Sequence, residues 1–228
     1  MQTWLPHLLH LSDPTLPVGA YTHSNGLETY VQQGLVSNGK QATAYIRNML
    51  EHNLPYNDAL FVVLAYRVAE ANDVEQLILL DQECTALKAP QELRVASQKL
   101  GIRLIKLLTP LTDHAFGNAY STAIRKGMAT GHYSLVYGVY AFLLGVPLQE
   151  ALTAYYYNAA TGMVTNCVKL VPLGQQEGQQ ILFALLPLLP QLAAQTLTIP
   201  RRLAGRCSFA FDIRSMQHER LYSRLYMS

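Results

Sequence analysis

The side chains able to do chemistry gather in a few places along the chain. His23 and Glu28 lie on either side of Gly26 in the stretch Leu16-Pro-Val-Gly-Ala-Tyr-Thr-His-Ser-Asn-Gly-Leu-Glu28. An imidazole beside a carboxylate is the material of a general acid–base pair. The same groups serve equally as a local hydrogen-bond network or as a surface shown to a partner. Their spacing does not suit one helical face, and Glu28 falls in the first turn of the helix expected after Gly26, where a carboxylate favours the dipole. His7 and His10 share a helical face and, with an external ligand, would attract a late transition metal. Two ligands make a poor site, and semi-exposed histidines in a short terminal helix are the plainer reading. His52, His114 and His132 are scattered and read as structural.

Other chemistries lack their motifs. The Gly-x-x-x-x-Gly-Lys-Ser/Thr phosphate loop is missing, so nucleotide hydrolysis would belong to a partner. No serine sits in a nucleophile elbow, and neither HExxH nor paired Glu-x-x-His supports a metal centre. Cys84, Cys167 and Cys207 are odd in number and far apart, which suggests neither a disulfide framework nor a zinc site and fits the cytoplasm. No catalytic residue, metal site or cofactor is therefore expected.

Two further clusters suit recognition. Tyr155, Tyr156 and Tyr157 precede Asn158-Ala-Ala-Thr-Gly162; consecutive tyrosines on a helix cannot share one core face, so they mark either an internal helix crossing or a homodimer interface. Lys169, alone among apolar neighbours, is a snorkelling rim charge or a contact to an acidic partner. Beyond Pro200 the chain turns basic, with Arg201, Arg202, Arg206, Arg214, Arg220 and Arg224 against Asp212 and Glu219. Arginine interleaved with aromatics favours protein binding over nucleic acid, because the whole chain carries a formal charge of only +2.

The elements that must position these groups are helical almost throughout. One helix follows Ser37, with Ile46, Met49 and Leu50 on a face, and is expected to end at Pro55; another starts at Asn57 or Asp58 and breaks at Asn72-Asp73. Further helices are expected from Val74 to Leu87, Pro90 to Leu108, His114 to Lys126, Gly131 to Gly145 and Pro147 to Leu170. The next, Gln175 to Leu197, is expected to bend near Pro187 and Pro190. Residues Pro200 to Ile213 show no helical stripe and read as an arm leaving the body, ending in a short amphipathic helix over Ser215 to Ser228. The expectation is an all-α, single-domain helical bundle: a body over 1–199 and a basic C-terminal arm over 200–228 of the same domain.

Half of the 228 residues are apolar and only 14% are charged, which implies a large buried fraction or surface that a partner covers. The uncharged stretch from Gly127 to Gln149 is long enough to span a membrane. Its glycines, His132 and tyrosines argue instead for a buried or interface helix. The N-terminus has no secretory pattern.

Four motifs in order resemble the urease accessory protein UreF family: Leu16 to Glu28; Gly131-His132 with the following Tyr-Gly segment; Tyr157-Asn-Ala-Ala-Thr-Gly162 through Lys169-Leu-Val-Pro-Leu-Gly-Gln175; and Ser215-Met-Gln-His-Glu219 with Tyr222-Ser-Arg-Leu-Tyr226. Ala20 stands where many members have a second glycine. The resemblance implies a dimeric, non-enzymatic, cytoplasmic protein that binds UreD (UreH in some systems), recruits and modulates the GTPase UreG, and so helps load nickel into apo-urease. It implies partner-binding roles for Pro17, Gly19, Tyr21, His23, Gly26, Glu28 and Tyr30 in the loop. Lys169 joins them, as do Met216, His218, Glu219, Tyr222, Arg224 and Tyr226 in an arm that orders on binding UreD. The alternative weighed against it is an all-α cofactor-binding enzyme whose pocket is lined by the tyrosines and His132.

Overall fold

The computed structural model describes residues 3–13, 15–19, 23–24 and 26–227. Among them there is helix and no strand: α1 (Leu5–Leu11), α2 (Leu27–Gln32), α3 (Gly39–Asn48), α4 (Leu60–Glu70), α5 (Val74–Leu87), α6 (Gln91–Thr112), α7 (Ala115–Arg125), α8 (Tyr133–Leu143), α9 (Leu148–Leu170), α10 (Gln175–Leu185), α11 (Leu189–Thr196) and α12 (Phe209–His218). Side chains cap several starts as their types dictate: Asn38 accepts from the Gln41 N–H, Asp73 from Gln76 and the His114 ring from Phe116.

The uncharged segment is the centre of the bundle. Val136, Tyr137, Val139, Tyr140 and Ala141 of α8 are wholly buried, as befits a helix apolar on every side. Its main neighbour is α4, and Gly138 is the reason the two axes come so close, since a Cβ there would run into the Val62 carbonyl. Gly101 of α6 likewise admits the backbone of Gly131 and His132. No helix among the described residues is long and apolar enough to cross a membrane.

Buried polar groups tie this core together. Asp81 accepts from Tyr120 Oη (2.6 Å), the Thr130 N–H (2.6 Å) and hydroxyl (2.7 Å), and the Gly131 N–H (2.8 Å). His132 lies with Nε2 2.9 Å from Thr85 Oγ1 and Nδ1 3.1 Å from Ser97 Oγ, joining α5, α6 and α8. Each is fully buried, and each is satisfied by partners from other elements.

Pro55 does not end the helix that begins after Asn38. Two π-helical segments, Met49–Asn53 and Pro55–Ala59, join α3 to α4 without a break. The wider turn removes the clash a proline ring makes in an α-helix and needs no N–H from Pro55 in the usual register. Asn57 and Asp58 are therefore inside a helix, and Asp58 pairs with Lys88 at 2.9 Å. Likewise α6 runs past Leu108 to Thr112 with Pro110 inside it, whereas Pro187 and Pro190 do interrupt their segment, with a 3₁₀ turn over Leu186–Leu188.

The C-terminal region also departs from expectation. The helix comes earlier, at Phe209–His218, and the residues after it are irregular. Its inward stripe is Phe211, Ser215 and His218, while Phe209, Ile213 and Met216 face outward. Two polar residues occupy core positions, so the stripe is invisible to an apolar periodicity. The arm does not leave the body: α12 packs on α2 and α6.

Candidate functional site

The polar loop and the C-terminal segment meet at Glu28. Gly26, with φ of 83°, begins α2, and a Cβ there would press on Ser215 Oγ of α12 at 2.7 Å. That turn sets Glu28 into the interior, 4% exposed. Its Oε1 accepts from the Leu225 N–H at 2.7 Å, and its Oε2 from the Tyr226 N–H at 3.1 Å and lies 3.2 Å from His218 Nε2. The other ring nitrogen of His218, Nδ1, is 2.6 Å from Glu92 Oε2. Arg224 Nη1 donates to Glu92 Oε1 at 2.7 Å. His218 thus lies between the two carboxylates, one ring nitrogen facing each. Loop, α12, the tail and the start of α6 are closed by one chain of charge-assisted hydrogen bonds.

Around this clasp, Gln32 Nε2 donates to the Ser223 carbonyl at 2.9 Å and Gln33 Nε2 to Gln217 Oε1 at 3.1 Å. Tyr226 is buried, whereas Met216, Glu219 and Arg224 are exposed and Tyr222 is wholly so. Tyr30 packs its ring 5.1 Å from that of Tyr45.

The loop's other residues have separate anchors. His23 is 5% exposed, and its carbonyl accepts from Asn166 Nδ2 of α9 at 2.9 Å. Burial, and then Lys99 and Arg103, hold the His23 imidazole below its ordinary pKa. Pro17 is exposed; Gly19 has φ of 83° and leaves no room for a Cβ beside the Arg103 guanidinium, which donates to the Val18 carbonyl at 3.2 Å. Tyr21 lies outside the described residues. Lys169, exposed on the last turn of α9, is one turn beyond Asn166.

Thus the structure brings Gly26, Glu28, His218, Arg224 and Tyr226 together. Glu92, which closes the clasp, has only the signature of an acidic residue in a helix's first turn and was not singled out from the sequence. Both Glu28 oxygens are occupied by the tail, which leaves the acid–base pairing with His23 without a free base.

The tyrosine triplet divides as helical geometry requires. Tyr155 stacks among Tyr133 and Tyr137, Tyr156 meets Thr196 Oγ1 at 2.7 Å, and Tyr157 is 38% exposed. Burial pushes the Tyr133 phenol up to about 12 and that of Tyr155 well above its ordinary value, so neither exchanges a proton near neutrality. Tyr133 and Tyr157 line a cavity of about 240 Å³ between α1, the Leu16–Val18 turn and α9. His132 is not on its wall. Among the described residues no three His, Cys, Asp or Glu side chains are grouped to hold a metal ion.

The family model described as UreF matches residues 36–186. Proteins named urease accessory protein UreF are similar over nearly the whole chain. That of Actinobacillus pleuropneumoniae serotype 5b (strain L20) is 45% identical over 221 residues, covering 97% of each chain. That of Haemophilus influenzae (strain PittGG) is 42% identical over 226 residues, covering 99% of this chain and 96% of the relative. A third, from Sporosarcina pasteurii, is 34% identical over 202 residues, covering 89% of this chain and all of the relative. With four sequence motifs in order, an all-helical bundle and this degree of identity from end to end, the chain belongs to the urease accessory protein UreF family.

Proposed function

We propose that this chain is a non-catalytic, cytoplasmic adaptor of urease maturation that binds UreD (UreH in some systems), recruits the GTPase UreG and modulates it, so that nickel reaches apo-urease. The observation that carries this reading is the clasp at Glu28, which joins the loop and the tail into one surface. Around it stand exposed apolar groups in quantity: Phe209 and Tyr222 foremost, with Ile213, Met216, Leu225 and Met227. Such a patch on so small a segment is unfavourable in water and favours a protein partner.

In this reading the tail's apolar groups are the anchor for UreD. Tail residues held in place by Glu28 lose less conformational entropy on binding than free ones, which raises affinity without new contacts. Arg224 adds directed hydrogen bonds at the rim. Pro17 and Lys169 belong to the face offered to UreG, with the buried Gly19 and His23 shaping the loop beneath it, and Tyr157 with Gly162 to a homodimer contact.

Co-expression with UreD and UreG of the same source, followed by size-exclusion chromatography with mass measurement, tests this. The full chain is expected to co-elute with both. A chain ending at Glu219, which keeps α12 whole, is expected to lose UreD. Unchanged co-elution of the shortened chain would remove the tail from the interface.

A further inference from the structure

The π-helical stretch between α3 and α4 forms one wall of a second cavity, of about 130 Å³, roofed by α12 and closed on the far side by α6. Met49, Asn53 and Asn57 lie along that wall. Paired π-turns of this kind are costly, and helices that carry them commonly do so at binding sites.

Asn53 is 6% exposed and its carboxamide makes no hydrogen bond within the protein; only its backbone carbonyl is engaged, by Asn57 Nδ2 at 3.3 Å. The amide is not among the side chains sealed from solvent without a partner, so its donor and acceptor open on the cavity, where an occupant can pair with them. The remaining surface is mostly apolar, with Leu54, Leu93, Leu100 and Phe211 around the space. An apolar cavity of about 150 Å³ is known to admit benzene, which sets the scale of the body this one holds.

We propose that this cavity binds a small neutral primary amide with a compact apolar body. The carboxamide of Asn53 offers donor and acceptor side by side, and a second primary amide satisfies both through a reciprocal pair of N–H···O bonds. A carboxylate leaves the Asn53 oxygen bare and brings its charge towards Asp212 on the wall. An ammonium leaves the Asn53 N–H groups bare. Lys88 offers no free counter-charge, since its ammonium is held at 2.9 Å from Asp58 Oδ1 and 3.3 Å from the Asn57 carbonyl. The site lies apart from the clasp at Glu28 and does not depend on the adaptor reading.

Benzamide is the probe, added to the isotopically labelled full chain up to about 20 mM, the range a fragment of this size requires. The expected result is a saturable shift of the Asn53 side-chain N–H resonances, with benzoate and benzylamine binding at least about tenfold more weakly and Asn53→Leu weakening benzamide about tenfold. Three results would overturn the proposal: no saturable shift, as for a cavity filled by water; equal response to the three probes; or unchanged benzamide affinity in Asn53→Leu. Should that variant fail to fold, nuclear Overhauser contacts between the benzamide ring and the Leu93 and Phe211 side chains of the unmodified chain decide the matter, and their absence counts against the site.

Discussion

At Glu28 one carboxylate receives two backbone N–H groups and an imidazole, which fills most of its accepting capacity. Hydrogen bonds to a charged group are worth about 1.5–3 kcal/mol each, and their loss falls on the tail and not on the bundle. Glu28→Ala is therefore expected to speed hydrogen exchange at Leu225 and Tyr226 by about 10- to 100-fold while leaving the helical circular dichroism unchanged. His132 supplies a pH dependence. Burial drives its pKa down to about 4, although the nearby Asp81 opposes this, so the folded protein holds it neutral over a range where the unfolded chain, at about 6.5, is protonated. The stability it contributes is present above pH 6.5 and is lost as the pH falls towards 4, by up to roughly 3 kcal/mol. Urea unfolding from pH 7 to 4.5 should show this decline, and His132→Gln should flatten it. The polarity of Glu28 and His23 was legible in the sequence, but the partner of Glu28 was not. His218 is 190 positions away, and no local pattern joins them.

Among the elements, glycine positions separate packing from recognition. Gly101→Ala and Gly138→Ala would each set a Cβ against backbone atoms of a neighbouring helix or turn, where only a shift of the axes relieves the contact. Each is expected to cost about 3 kcal/mol or more and to lower the melting temperature by about 10 °C. Gly162 of α9 has open space around its Cβ position, so Gly162→Ala should leave stability unchanged or raise it by up to about 1 kcal/mol. A loss of dimer mass in that stable variant would put Gly162 in an interface. Most helices were readable from spacing and caps, because Asn38, Asp73 and His114 act through local hydrogen bonds that the residue types announce. Pro55 misled because a π-turn accommodates it, and α12 was displaced because Ser215 and His218 take inward positions usually held by apolar residues.

For the molecule as a whole, the apolar composition is explained twice over. The central α8 and its tyrosines are buried within one chain, and the apolar outer face of α12 with the tail is left uncovered. The bundle thus holds its loop and tail in register, and the adaptor reading uses both as a single surface with Glu28 as the joint. The most direct measurement is the affinity of purified UreD for the chain and for Glu28→Ala, each shown by circular dichroism to be folded and by hydrogen exchange to differ at Leu225 and Tyr226. Release of a preorganised tail is expected to weaken capture of UreD by at least about tenfold. Equal affinity, with the tail demonstrably released, would contradict the account.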